Sequence, residues 1–139
     1  MKRQKVLFIC THNSARSQMA EALLNNLYPD RYHASSVGTI PGSVDPLVVS
    51  VMSEIGIDME RHWSKGLDYF QDEIFDYVVS VCDNAKDACP YFPGGKKRLH
   101  KSFADPSSLV GNFPDALDKY RGIRDEIKKW IVEEFTCDD

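Results

Sequence analysis

No apolar run in the chain approaches the about 20 residues that a membrane-spanning helix needs. The basic start, Met1-Lys2-Arg3-Gln4-Lys5, leads into an apolar stretch too short for a secretory signal core, so a cytoplasmic protein with no membrane partner is expected. A long basic block is also lacking. With 17 Lys and Arg against 21 Asp and Glu the net charge is −4, which argues against a dedicated nucleic-acid binder. There is no internal repeat, low-complexity tract or linker, so residues 1–139 are expected to form a single domain. Cysteine is sparse, and Cys82 and Cys89 are separated by six residues with no histidine close behind, unlike the tight pairs of structural zinc sites. His12, His33, His62 and His100 are scattered and read as ordinary surface or hydrogen-bonded residues. Four thiols in a cytosolic chain are better read as reactive groups than as a disulfide framework, although Cys137 reads as a frayed-tail thiol.

The overall make-up, 42% hydrophobic and 27% charged, is that of an ordinary globular domain. One stretch is not ordinary. Val6-Leu7-Phe8-Ile9 is rich in β-formers and reads as a buried strand that stops at Cys10. From Ser17 onward, Ala20, Leu23, Leu24 and Leu27 recur at helical spacing until Pro29. A cysteine thus ends a strand, a polar loop follows, and Arg16 opens a helix. That arrangement aims the loop N–H groups and the positive helix end at one point. Thr11, His12, Asn13, Ser14, Ala15, Arg16 and Ser17 are the expected cradle for a tetrahedral oxyanion, with the Arg16 fork gripping two of its oxygens. The same field favours a thiolate at Cys10, which is therefore the candidate nucleophile.

The rest of the chain supplies the frame. Arg31–Val37 is a weaker strand candidate, closed by Gly38-Thr39 and a Pro41-Gly42 turn. Asp45 reads as a helix N-cap with Pro46 at the first helical position. Leu47, Val48, Val51, Met52 and Ile55 form its stripe, and Gly56 its stop. Ile57–Lys65 reads as a mostly exposed connection into a short helix at Leu67–Phe70. Asp76–Val81 is the third strand, ending at Cys82, and Leu99, Lys101 and Phe103 alternate as a fourth, running into Asp105-Pro106. Pro114 starts a last helix with the stripe Leu117, Tyr120, Ile123, Ile127, Trp130, Ile131 and Phe135. Alternating strands and helices predict an α/β fold: one three-layer domain with a four-stranded, mainly parallel sheet covered on both faces. Ligands of such sheets bind beyond the carboxyl ends of the strands, and Cys10, Cys82 and Asp105 all fall on that rim. If the segment after Cys82 were helical, Cys82 and Cys89 would lie roughly 10 Å apart along the axis. A disulfide needs α-carbons within about 7 Å, so the two can join only if the segment unwinds or loops out.

The Cys10-x5-Arg16-Ser17 loop resembles that of the low-molecular-weight protein tyrosine phosphatase superfamily, which includes a class of arsenate reductases. With Cys82, Cys89 and Asp105-Pro106 in place, Val6 to about Phe135 resembles the thioredoxin-coupled arsenate reductases. The resemblance implies that Cys10 attacks arsenate held by the loop and Arg16, with Asp105 protonating the leaving oxygen and Ser17 holding the Cys10 thiolate. It further implies that Cys82 attacks the Cys10 sulfur, that Cys89 then attacks Cys82, and that thioredoxin reduces the resulting pair, with no bound cofactor. The alternative is a phosphatase forming a Cys10 phosphocysteine, with Asp105 as acid. Such phosphatases often follow Asp-Pro with tyrosines, whereas Ser107-Ser108 stand here. Some family members hold a cation beside the loop through an asparagine, a glutamate, a serine and an acid. Asn13, Glu21 and Ser36 resemble the first three, but Lys65 stands in place of the acid, so no metal is expected.

Overall fold

The computed structural model describes residues 3–81, 92–104, 106 and 113–135. Strand β1 (Gln4–Cys10) is central, paired in parallel with β2 (Tyr32–Gly38) on one side and β3 (Phe75–Ser80) on the other. Strand β4 (Gly95–His100) pairs in parallel with β3, giving the order β2-β1-β3-β4. Val6 to Ile9 have no exposed surface, as expected of a strand covered on both faces. The strand order reverses direction at β1, so the loop after Cys10 opens at the switch point where parallel sheets bind ligands.

Alternation along β1 separates two cores. Val6, Phe8 and Cys10 face a large cluster shared with α1 (Arg16–Leu27), α2 (Pro46–Ser53) and α3 (Phe113–Phe135). Leu7 and Ile9 face a smaller one with Val37, Phe75, Val78 and Phe92, against which Leu67 and Phe70 of the short 3-10 helix Leu67–Phe70 pack. Of the expected stripe, helix α3 buries Tyr120, Ile123, Ile127, Ile131 and Phe135, with Leu117 and Trp130 part-buried against the same core. Phe135 meets the rings of Phe8, Tyr32, Tyr77 and Trp130 edge-on, with centroids 5.2 to 6.4 Å apart. That geometry suits the ring quadrupoles and fastens the far end of α3 to the sheet.

Asp45 caps α2 as expected, its Oδ1 accepting the Leu47 N–H at 2.9 Å. Its other oxygen accepts the Tyr120 hydroxyl of α3, and its own N–H donates to the Ser14 carbonyl at 3.0 Å. One residue therefore ties α2, α3 and the loop after Cys10 together, the helices through its side chain and the loop through its backbone. Gly56 turns the chain after α2 with φ +82°.

Three expectations are corrected. Ile55 is 36% exposed, because α2 ends at Ser53 and the position has left the buried stripe. The fourth strand lies at Gly95–His100, so Lys101 and Phe103 fall beyond it. It is an edge strand whose Lys96, Lys97 and Arg98 hide the alternation that marks a half-buried one. The 57–65 connection is not mostly exposed: Ile57, Met59 and Lys65 are buried. Cys82, Cys89 and the residues between them, with Asp105, Ser107, Ser108 and Cys137, lie outside the described residues.

Candidate active site

Strand β1 delivers Cys10 into the interior at its carboxyl end, 2% exposed. Six residues later Arg16 begins α1, also 2% exposed. The first turn of α1 has no side-chain cap: Ala15 occupies the N-cap and offers no acceptor to the leading N–H groups. An uncapped helix start with its positive end inward is a ready site for an anion. Arg16 Nη1 donates to the Phe103 carbonyl at 3.3 Å. The Thr11 hydroxyl is buried with no hydrogen-bond partner among the described residues, which leaves a further donor in the loop.

Loop shape depends on Asn13. Its φ of 51° is left-handed, a region that costs most residues about 1–2 kcal/mol but that asparagine tolerates. The Asn13 side chain, fully buried, fixes that turn from both ends. Oδ1 accepts the Lys65 N–H at 2.7 Å and Gln18 Nε2 at 3.0 Å, and Nδ2 donates to Ser17 Oγ and Ser36 Oγ, each at 2.8 Å.

These bonds have a direction. As a carboxylate Glu21 only accepts, so the Ser36 hydroxyl donates to its Oε1 across 2.6 Å. The Ser36 oxygen is then the acceptor for one Asn13 N–H, and the second Asn13 N–H goes to Ser17. With its oxygen engaged as an acceptor, Ser17 is left with a proton to point at Cys10 Sγ, 2.9 Å away.

In the sequence Gln18 carried no role, and His62 only that of an ordinary surface or hydrogen-bonded residue. Gln18 is fully buried, and all three partners of its Nε2 are acceptors: the Asn13 carbonyl, Asn13 Oδ1 and the Trp63 carbonyl. That fixes the amide orientation, so His62 Nδ1 donates to Gln18 Oε1 at 2.9 Å. The 57–65 segment is thus the rear wall of the loop. A lone glutamine on a helix carries no sequence signal of this, because its partners are far along the chain.

Gly38, at the end of β2, is where strand and loop touch. A Cβ there would lie 2.7 Å from the Asn13 nitrogen and the Thr11 oxygen, both backbone atoms that cannot swing aside. Gly38→Ala is expected to cost about 1–3 kcal/mol as overpacking, and to slow Cys10 alkylation by displacing the loop. Thermal denaturation and the rate of Cys10 modification check both parts.

Of the predicted residues, Cys10, Asn13 and Ser17 are joined by hydrogen bonds at the head of α1, whereas His12 is exposed with its ring against the Ile40 carbonyl. Val81 is the last described residue before Cys82; it is buried and donates its N–H to the Ile9 carbonyl, beside Cys10, at 2.9 Å. Phe103, whose carbonyl receives Arg16, is the corresponding point ahead of Asp105.

A thiol at a strand end, a five-residue turn and a buried arginine opening an uncapped helix define a candidate anion site on a parallel α/β sheet. Residues 5–131 match the model of the low molecular weight phosphotyrosine protein phosphatase family, and the chain belongs to that family. It is 37% identical over 131 residues to an arsenate reductase of Halalkalibacterium halodurans, covering 94% of each chain. Among solved structures it is similar to an arsenate reductase in a phosphate-binding state, with a TM-score of 0.79, 27% identity and coverage of 94% of this chain and 95% of that one. It is also similar to a thioredoxin-dependent arsenate reductase of Corynebacterium glutamicum, with a TM-score of 0.62 and 29% identity over 94% of this chain and 63% of that one.

Proposed function

We propose that this protein is an arsenate reductase that uses Cys10, Cys82 and Cys89 in turn and is recharged by thioredoxin. The observation that carries the reading is the near-complete match to arsenate reductases of a chain that also holds Cys82 and Cys89. In the proposed reaction the Cys10 thiolate attacks arsenic(V) held by the loop N–H groups and the Arg16 fork. Asp105 gives the departing oxygen a proton, and a sulfur–arsenic bond replaces an oxygen–arsenic bond. The Cys82 thiolate then attacks the Cys10 sulfur. The sulfur–arsenic electron pair leaves with arsenic, which departs as arsenite carrying two more electrons, and a Cys10–Cys82 disulfide remains. Cys89 attacks Cys82, returns Cys10 as a thiolate, and leaves a Cys82–Cys89 disulfide for thioredoxin to reduce. A stabilised thiolate at Cys10 is a good leaving group for the second step. The name of the Corynebacterium glutamicum neighbour supports the choice of reductant, and a dithiol donor matches the two electrons consumed. The reading places the protein in the cytoplasm, where such a donor is kept reduced. Among the described residues no helix is long and apolar enough to cross a membrane.

Hydrolysis of phosphate monoesters through Cys10 is the second reading, favoured by the family match alone. Peptide mapping after one arsenate turnover without reductant separates the two. A Cys82–Cys89 disulfide formed with one equivalent of arsenite is expected. Fully reduced thiols with turnover of an aryl phosphate would overturn the reductase assignment.

A further inference from the structure

The chain of hydrogen bonds that ends at Cys10 begins at Glu21, and behind the loop the buried Lys65, whose N–H holds Asn13 Oδ1 at 2.7 Å, feels the charge of Glu21. Lys65 is only 7% exposed, yet among the described residues its ammonium has just one direct hydrogen-bond partner, the Trp63 carbonyl at 2.9 Å. It also lies over the Trp63 ring, 4.9 Å from the centroid, a favourable contact for a cation. Burial pushes the ammonium toward neutrality, and the charge of Glu21 pulls it back. A buried lysine without a close carboxylate partner is costly to keep, so its placement calls for a role.

We propose that Lys65 is a resident cation of the loop, a positioning residue whose ammonium does what a soluble cation would otherwise do there. By holding Glu21 as an acceptor, it keeps Ser36, Asn13 and Ser17 oriented so that the Ser17 proton faces Cys10. The oxygens around it do not fit a metal ion. Asn13 Oδ1 already accepts from the Lys65 N–H and from Gln18, the Trp63 carbonyl accepts from Gln18 and from Lys65 Nζ, and Ser36 Oγ accepts from Asn13. Glu21 is the lone carboxylate in the group, and among the described residues no cluster of three or more His, Cys, Asp or Glu could hold a metal. His62 is the other titratable group here, with Nδ1 3.9 Å from Glu21 Oε2 and committed to Gln18.

The inference holds for either chemistry at Cys10, and its test needs neither arsenate nor a phosphate ester. Cys10 alkylation by iodoacetamide is followed by mass spectrometry at neutral pH, with thermal denaturation alongside, in potassium chloride and in choline chloride. Wild-type protein is expected to give the same rate and the same midpoint in both salts. Lys65→Met is expected to remain folded and to alkylate at Cys10 about two- to tenfold more slowly, the range one directed hydrogen bond spans. Lys65→Asp, which adds a second carboxylate and removes the ammonium, is expected to recover rate and midpoint in potassium chloride but not in choline chloride. Should Lys65→Met not fold, the Lys65→Asp comparison stands by itself. A potassium response in the wild type, an unchanged rate in a folded Lys65→Met, or a Lys65→Asp protein indifferent to potassium would each overturn the proposal.

Discussion

Arg16→Lys is expected to lower kcat/KM for arsenate by about 10²–10³-fold, the loss typical of removing one preorganised oxyanion contact. Charge is conserved in this change; what disappears is the planar fork that matches two oxygens of a tetrahedral anion at once. Lysine supplies a single point of charge on a flexible stem. Its compact ammonium also cannot reproduce the planar geometry with which Arg16 Nη1 donates to the Phe103 carbonyl. Competition by phosphate should weaken in parallel, because the cradle reads shape and charge and not the central atom. Steady-state kinetics with a phosphate inhibition series checks both expectations. A loss of less than tenfold, with an unchanged denaturation midpoint, would mean that the loop N–H groups hold the anion without the fork.

Cys82→Ser is expected to abolish arsenite production beyond background while leaving the fold intact. A serine hydroxyl is neither acidic enough to attack a sulfur at neutral pH nor able to form a disulfide, so the Cys10 adduct has no route onward. The variant should accumulate arsenic on Cys10, visible as a mass increase on that peptide, and thioredoxin should not release it. Arsenite formed at the wild-type rate would end the three-cysteine relay. Turnover of an aryl phosphate at that point would leave hydrolysis through Cys10 as the surviving chemistry.

The sequence was most legible where one physical rule dominates a short segment. An unbroken apolar run marked β1, and helical spacing marked α1 and α3. Asp45-Pro46 marked the start of α2 because a cap and a fixed φ are local properties. It was poor where several rules compete. In β4 the lysines and arginine of an exposed edge mask the pairing seen in its register with β3. In 57–65 the density of charge and polarity suggested solvent, yet His62 and Lys65 are turned inward by partners about 44 to 52 residues away in sequence. No periodicity encodes a contact of that kind.

By itself the order of residues determined that a thiol ends a strand and that an arginine opens the next helix. Those facts follow from local backbone preference and the spacing of apolar side chains, and they suffice to point at an anion. Only the tertiary structure decided which way the hydrogen bonds run from Glu21 to Cys10, why Gly38 lacks a side chain, and that Lys65 is buried beside the network. These are properties of groups brought within bonding distance by chain closure, and in a buried site each group's role is set by what its neighbours leave unsatisfied.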